Sequence, residues 1–568
     1  MSALSAEAVA ASGFKPLVAT KSNTSFSNKS TLEGSEFAAK EKNHFLNEQV
    51  SAGPKASLHK SLSQGAIAAA RDKAEDHSLL KRIPHELATT EGEAGQMLRR
   101  VMLHGSSIVF FTPGYAGKRF IYERARDLHV RVVIIDEPGS WAEGLVEDHV
   151  CAKFIGMDLQ RPSEIVFEDA LRAIKALADD PALDYRLPSG ICTFCELSVP
   201  IAARLAEALG LPGPSSAAID VARDKHLTRA AMVQANLPSP ACYKITSAAD
   251  LAAAADKVGF PAVLKPLSGA ASLGVIKVAS REHLAGAYSE VMDEMRSTVV
   301  SSGALIKKDP ATEELAASSA AENICAFLLE EYLDGPEVDV DVVMADAEAR
   351  YAAVVDNGPT AEPHFAETWG LYPSTLSNSD QGVLRGLAVD ALKACGFLCG
   401  VFHVELKLTT RGPRLIEINA RMGGGQVRTT HLLTNGVDLV EETLFTAVGI
   451  PCRPFVSTPG ANNDKTGKKK KKAIAYNYVT ASESGVMGDI SAELERVAAL
   501  PGVLYAKPLV KDGDAITAPA DGLPTWVADV MVARDTPQAA LDFVQELSAS
   551  LDIPMRSTAT GNKKEPSP

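Results

Sequence analysis

Residues 403–425 read HVELKLTTRGPRLIEINARMGGG, and this stretch decides the fold. Polar and apolar residues alternate from Val404 to Leu408 and again from Arg414 to Asn419, the two-residue period of half-buried strands. Arg411, Gly412 and Pro413 supply turn chemistry between them, and a glycine run closes the stretch. In a hairpin centred on Arg411, Glu405 lies across from Glu417, and the strand period brings Asn419 onto the face of Glu417. Cross-strand side chains sit about 4.5–5.5 Å apart, a spacing at which like charges repel. Two facing carboxylates therefore need positive charge between them. With the Asn419 amide oxygen they form a hard-oxygen set suited to Mg²⁺ or Mn²⁺, ions that take few protein ligands and keep places for phosphate oxygens. Arg421, two residues further on, reaches the same place and is suited to stabilising charge on a reacting group. The plain alternative is two solvated glutamates and an arginine on a strand edge.

Upstream of the hairpin, Asp224 and Lys225 open an amphipathic helix that runs to Ala235. Residues 261–266 (PAVLKP) are a strand carrying Lys265 near its end, and 275–278 resume it after a small-residue loop, LSGAASLG, at 267–274. Backbone N–H groups around Ser268, Gly269, Ser272 and Gly274 can close over phosphates while Lys265 meets their charge. Gly/Ser hairpins are common, so an ordinary turn explains this loop equally well. Residues 328–333 (LLEEYL), the turn Asp334-Gly335-Pro336 and the alternating 337–343 (EVDVDVV) read as strand, turn and strand. Strand ends of this kind offer backbone groups to a base and Glu337 to ribose hydroxyls, although an ordinary hairpin looks the same.

From residue 106 strands alternate with helices: 106–112, 130–136 and 190–194 as strands, 118–128 and 199–209 as helices. That order implies a parallel sheet covered on both faces. The turn at 114–118 (GYAGK) lacks both the GxGxxG and the Walker spacing, and reads as fold or as a substrate wall. Cys192 and Cys195 form a lone CxxC with no second pair to complete a zinc site, which favours a buried strand end. Eight cysteines in 568 residues make no disulfide scaffold, and no apolar run reaches the ~18 residues of a membrane span. A net charge of −14 argues against nucleic-acid or anionic-membrane surfaces, so small anionic substrates need a local basic pocket. The composition is that of a soluble, cytoplasmic protein. Residues 1–77 read as a flexible extension whose Ser- and Lys-rich start is also compatible with an organellar transit peptide. The stretch 461–472 ends in five lysines, a solvated loop or a docking patch for an acidic partner.

Lys225, Lys265 with its loop, the run from Glu330 through Leu333 to Glu337, then Glu405 and the Glu417-Ile418-Asn419-Ala420-Arg421 motif with Gly423 and Gly424 resemble the ATP-grasp superfamily in order and kind. These ligases couple ATP cleavage to joining a carboxylate and an amine. Within the superfamily the chain is most similar to the carnosine synthase and L-amino-acid (dipeptide) ligase group. The segments GICTFCE (190–196), LAEALGLP (205–212) and ETWGLYPS (367–374) carry that likeness. The resemblance implies ATP and two Mg²⁺ or Mn²⁺ ions as cofactors, with Lys225 and Lys265 on the phosphates, Ser268, Gly269, Ser272 and Gly274 around them, the Glu330 carbonyl and Leu333 N–H on adenine, and Glu337 on ribose. It implies Glu405, Glu417 and Asn419 as metal ligands and Arg421 on the acyl phosphate, with Lys265 assisting. Glu367 would face the amino group of a substrate amino acid, Trp369 would line a side-chain pocket, and Gly423 and Gly424 would border it.

The expected fold is a mixed α/β and α+β multidomain chain. A helical lead-in and Rossmann-like pre-ATP-grasp domain cover 78–214, an ATP-grasp domain 215–455, a lysine-rich linker 456–472, a small C-terminal α+β domain 473–557, and a disordered tail 558–568. The expected reaction forms a dipeptide or related amide through an acyl phosphate, with small amino acids as partners and no nucleic acid or membrane. Homodimers or larger homo-oligomers are common among such ligases. The alternatives are a carboxylase or purine-pathway ligase of the same fold, or a catalytically silent ATP-binding regulator.

Overall fold

The computed structural model describes residues 85–184, 186–269, 272–296, 298–301, 304–307, 326–457 and 472–556. The expected N-terminal extension, the start of the helical lead-in, all of the 461–472 stretch but Lys472, the C-terminal tail, and Ala270 and Ala271 of the glycine-rich loop lie outside the described residues.

Strands β1 (Ser107–Phe111), β2 (Arg131–Asp136), β3 (Lys153–Gly156) and β4 (Gly190–Cys192) form a parallel sheet in the order β3-β2-β1-β4. β1 runs SIVFF with every residue buried, as a strand covered on both faces must be. Ile108, Phe110, Val132 and Ile134 face the helices Arg119–Asp127 and Leu439–Ala447, whereas Val109, Phe111, Val133 and Ile135 face Ser163–Ala176 and Val199–Ala208.

The next layer is antiparallel: β5 (Cys242–Ile245), β6 (Ala262–Pro266) and β7 (Ile276–Val278) are followed by a small hairpin, β8 (Thr298–Ser301) and β9 (Ala304–Lys307), and then β10 (Phe327–Glu331). The sheet order is β5-β10-β6-β7, and its apolar face packs on the helices Leu251–Val258 and Arg281–Arg296.

An eight-stranded antiparallel sheet completes the frame. Its members are β11 (Glu337–Ala345), β12 (Glu348–Asn357), β13 (Trp369–Tyr372), β14 (Gly400–Thr409), β15 (Gly412–Asn419), β16 (Ala473–Thr480), β18 (Val503–Pro508) and β20 (Trp526–Arg534), in the order β15-β14-β11-β12-β13-β16-β20-β18. The short strands β17 (Gly485–Met487), β19 (Ala515–Ile516) and β21 (Met555–Arg556) form a separate sheet. Strands from the C-terminal segment thus extend the same sheet that holds the 403–425 hairpin. Val338, Val340, Val342, Val404, Leu406, Leu415 and Ile418 point to a core closed by the helix Asn378–Ala394. The two-residue period leaves Glu337, Asp339, Asp341, His403, Glu405 and Lys407 on the opposite face.

The hairpin differs from its expected form in one respect. Near the turn the pairs are Thr409–Gly412, Leu408–Pro413, Lys407–Arg414 and Leu406–Leu415, so the loop is Thr410-Arg411 rather than a turn centred on Arg411. A bulge at Ile416 then adds one residue to β15 and restores the pairing of Glu405 with Glu417.

Candidate active site

A cleft of about 560 Å³ runs between the parallel sheet, the antiparallel layers and the C-terminal strands, a size typical of small-molecule sites. Asp224 caps the helix Lys225–Gln234 by accepting hydrogen bonds from the His226 and Leu227 N–H groups, which fixes Lys225 at the helix start. Lys225 Nζ thereby lies 3.0 Å from Glu417 Oε1. Burial works to raise the Glu417 carboxyl, but Lys225, with Arg223 and Lys265 behind it, brings it below its ordinary value. Glu405 has less relief: burial and then the charges of Glu417 and Asp339 outweigh His403 and lift its carboxyl well above the usual range. Asn419 Nδ2 donates to Glu405 Oε1 at 3.0 Å.

A crowded carboxylate pair short of positive charge, with an amide oxygen alongside, fits a divalent cation. Among the described residues no group of three or more His, Cys, Asp or Glu has ligand geometry. Two carboxylates and an amide suit an ion that takes the rest of its shell from phosphate and water.

Arg421 faces the same place. Its Nη2 donates to Asn419 Oδ1 at 3.1 Å, and its Nε lies 2.7 Å from Glu196 Oε2, an ion pair without hydrogen-bond alignment. Glu196 also pairs with Arg223 at 2.9 Å, so it orients two guanidinium groups from the parallel-sheet unit.

Lys265 on β6 and Arg229 both pair with buried Glu330, and Arg229 also donates to the Ile416 carbonyl at 2.7 Å. Burial depresses the Lys265 ammonium against the pull of Glu330. The Glu330 side chain is consumed by these pairs, leaving its backbone for a ligand. Gly269, Ser272, Leu333 and Glu337 line the cleft. Glu337 lies 3.6 Å from Lys407, yet burial, with Asp339 and Glu367 adding to it, pushes its carboxyl up to about 7.

Farther along, Glu367 borders the cleft with Asp339 and His403. Glu367 keeps contact with solvent, but the surrounding protein desolvates it and, with Asp339 nearby, raises its carboxyl to about 7. Burial would hold His403 neutral, but Asp339 and Asp341 raise it to about 10, a charged imidazolium. Asp341 bridges His403 Nδ1 at 2.8 Å and His431 Nε2 at 2.6 Å. Lys118 donates to the Phe194 carbonyl at 2.6 Å, and burial followed by the Arg421 charge lowers its ammonium to about 8.

Thirteen of the sequence-derived site residues line this one cleft: Arg421, Lys265, Lys225, Gly269, Ser272, Glu330, Leu333, Glu337, Glu405, Glu417, Asn419, Glu367 and Gly424. Four do not. Ser268 turns away to donate its hydroxyl to the Arg223 carbonyl at 3.0 Å. Gly274, at φ +70°, is a packing position whose Cβ would meet Met295, Pro266 and Val291. Trp369 packs against the C-terminal core. Gly423 stands behind the cleft wall, where a Cβ would come within 2.7 Å of His403 Nδ1. Lys118, Glu196, Asp339 and His403 were not singled out from sequence. Asp339 carried a signal as the second acid in the Glu-Val-Asp-Val-Asp alternation, and Lys118 closes the 114–118 turn read as fold or a substrate wall.

Residues 122–213 match the model of the ATP-grasp N-terminal domain and residues 258–430 that of the ATP-grasp domain. The chain is 31% identical to human carnosine synthase 1 over 64% of its own length and 42% of that protein. It is 27% identical to the alanine–anticapsin ligase of Bacillus subtilis strain 168 over 50% of its length and 57% of that protein. The chain therefore spans less than half of the carnosine synthase. The L-amino acid ligase of Bacillus licheniformis shares the fold, with a TM-score of 0.61 at 20% identity over 80% of this chain and 99% of that one. The two domain matches, in chain order and around one cleft, give the chain an ATP-grasp N-terminal domain followed by an ATP-grasp domain.

Proposed function

We propose that the protein is an ATP-dependent carboxylate–amine ligase that forms a dipeptide or related amide through an acyl phosphate, releasing ADP and phosphate. The observation that carries this reading is the meeting of Glu405, Glu417 and Asn419 with Lys225, Lys265 and Arg421 in a single cleft. The names of the carnosine synthase and alanine–anticapsin ligase relatives support it.

Glu405, Glu417 and Asn419 would hold Mg²⁺ or Mn²⁺, two ions in all. When bound, these would offset phosphate charge so that a carboxylate can approach the γ-phosphorus. Lys225 and Lys265 add positive charge on the phosphate side. The backbone at Glu330 and Leu333 would meet the base. Glu337, with a carboxyl near neutrality, would share hydrogen bonds with the ribose hydroxyls. Arg421, steadied by Glu196, stabilises the acyl phosphate and the oxyanion that follows amine attack. Glu367 is suited to take a proton from the incoming ammonium, because its carboxyl sits at about 7. No side chain of the protein needs to be covalently modified.

The test is ADP and phosphate release from Mg-ATP over a panel of amino acids, singly and in pairs. Release that needs a pair supports the ligase. A requirement for bicarbonate or a nucleotide precursor moves the protein to the carboxylase or purine-pathway ligases, and ATP binding without turnover would make it a silent regulator.

A further inference from the structure

The turn at 114–118 puts Tyr115 and Lys118 on the cleft wall, yet none of the steps above uses it. It follows β1, and the 193–196 segment follows β4. Both therefore leave the carboxyl ends of neighbouring parallel strands, where open α/β sheets take their ligands. Three hydrogen bonds hold the turn. The Tyr122 hydroxyl donates to the Pro113 carbonyl at 3.0 Å, Trp141 Nε1 to the Gly114 carbonyl at 2.7 Å, and the Lys118 N–H to the Tyr115 carbonyl at 2.9 Å. Gly114, at φ +73°, leaves room for the Lys118 side chain to lie back along the turn, since a Cβ there would come within 3.0 Å of Lys118 Cδ.

Lys118 lines the cleft together with Arg421, Cys195 and Glu196. Its Nζ gives one hydrogen bond to the Phe194 carbonyl at 2.6 Å, and an ammonium has three to give. Among the described residues it makes no ion pair. Glu196 is within electrostatic reach, but both of its oxygens are engaged, Oε1 by Arg223 at 2.9 Å and Oε2 by Arg421 at 2.7 Å. Lys118, Arg223 and Arg421 thus share one carboxylate. The Tyr115 ring, 5.8 Å from Nζ, adds a weak hold on the charge. Burial and then the Arg421 charge lower the ammonium to about 8, against the opposite pull of Cys195 and Glu196, so it is still mostly charged at neutral pH. Two cations within repelling distance are relieved by an anion, as facing carboxylates are by a cation.

We infer that Lys118 and Arg421 together seat the carboxylate of the acid substrate before it is phosphorylated, which makes the 114–118 turn a recognition element for that substrate. The inference rests on the ligase reading. There Arg421 stabilises the acyl phosphate, so the cation beside it meets the oxygens of the same carboxyl group before activation. Lys225 and Lys265, which serve the phosphates in that reading, come from other elements, the helix Lys225–Gln234 and β6.

The experiment measures ADP release by the full chain with Mg-ATP and the amino-acid pair that the wild type uses best, the acid-donating member being identified from the order of residues in the product. Lys118→Gln should raise the KM for that member about tenfold or more, the loss expected for a charge-assisted hydrogen bond, and the KM for ATP and for the amine-donating member less than about threefold. Lys118→Arg, which keeps the charge, should recover most of that loss. In the wild type the KM for the acid-donating member should climb above about pH 8, where the Lys118 ammonium gives up its proton, and neither variant should show that climb. An unchanged KM in Lys118→Gln, equal rises for both members of the pair, or a wild-type KM flat through that range would overturn the inference. If Lys118→Gln does not fold, the wild-type pH profile and Lys118→Arg decide. Absence of release with every pair would overturn the ligase reading, whereas turnover indifferent to Lys118 would overturn this inference only.

Discussion

Glu417 sits between opposing influences, burial that favours its protonated form and Lys225 at 3.0 Å that keeps it charged. Replacing it by Gln keeps the shape and removes the charge that a divalent ion needs. Glu417→Gln should therefore lower kcat at least about a hundredfold, some ~2.7 kcal/mol of barrier, and near-normal turnover would contradict the metal assignment. Glu367 gives a pH prediction. Its carboxyl is raised to about 7, so it is protonated and unable to act as a base below that value, and charged above it. The kcat/KM for the amine substrate should rise as pH climbs through about 7, and Glu367→Gln should remove that limb from the pH–rate profile. Glu337 titrates in the same range but faces the nucleotide side, so its ionisation should register in the KM for ATP. The acids of the hairpin were legible because strand alternation places like charges face to face. Lys118 and Glu196 were not, because they reach Arg421 only through tertiary folding, from turns with no spacing rule linking them to it.

At the level of elements, the pairing of Glu405 with Glu417 depends on the Ile416 bulge. If the turn's register ran on without a bulge, Ile416 would stand opposite Glu405, and Glu417 and Asn419 would fall on the core face. The turn between β10 and β11 is equally constrained. Gly335 has φ +82°, and a Cβ there would fall 2.1 Å from the Leu408 carbonyl oxygen at the end of β14. Gly335→Ala should cost upwards of about 1–3 kcal/mol in urea unfolding, because both the backbone strain and the clash press on the sheet that carries the site. The strands themselves were legible from alternation and turn residues. The bulge was not, since a symmetric hairpin and a bulged one both pair Glu405 with Glu417.

Across the whole molecule, the helix Leu439–Ala447 joins the parallel-sheet unit to the rest. Glu441 on this helix has a fully buried side chain paired with Arg100 at 2.9 Å and Arg124 at 2.7 Å, and Asp438 at its cap pairs with Arg124 and Arg428. Glu441→Ala would remove the partner shared by Arg100 and Arg124, leaving Arg124 with Asp438 alone, and should destabilise the protein by about 1–3 kcal/mol in denaturant unfolding. The α/β beginning and the nucleotide-binding middle were readable from strand–helix order and motif spacing. The joining of β16, β18 and β20 to the central sheet was not, because edge pairing leaves no local mark in a strand's sequence. That joining brings Tyr478, Trp526 and Asp529 to the cleft. The most direct test of the central claim is a calorimetric titration of the full chain with ATP, in excess Mg²⁺ and again in EDTA. The account predicts binding that requires the divalent ion and is lost or greatly weakened in Glu417→Gln. Equal ATP affinity with and without Mg²⁺, or an unaffected variant, would contradict it.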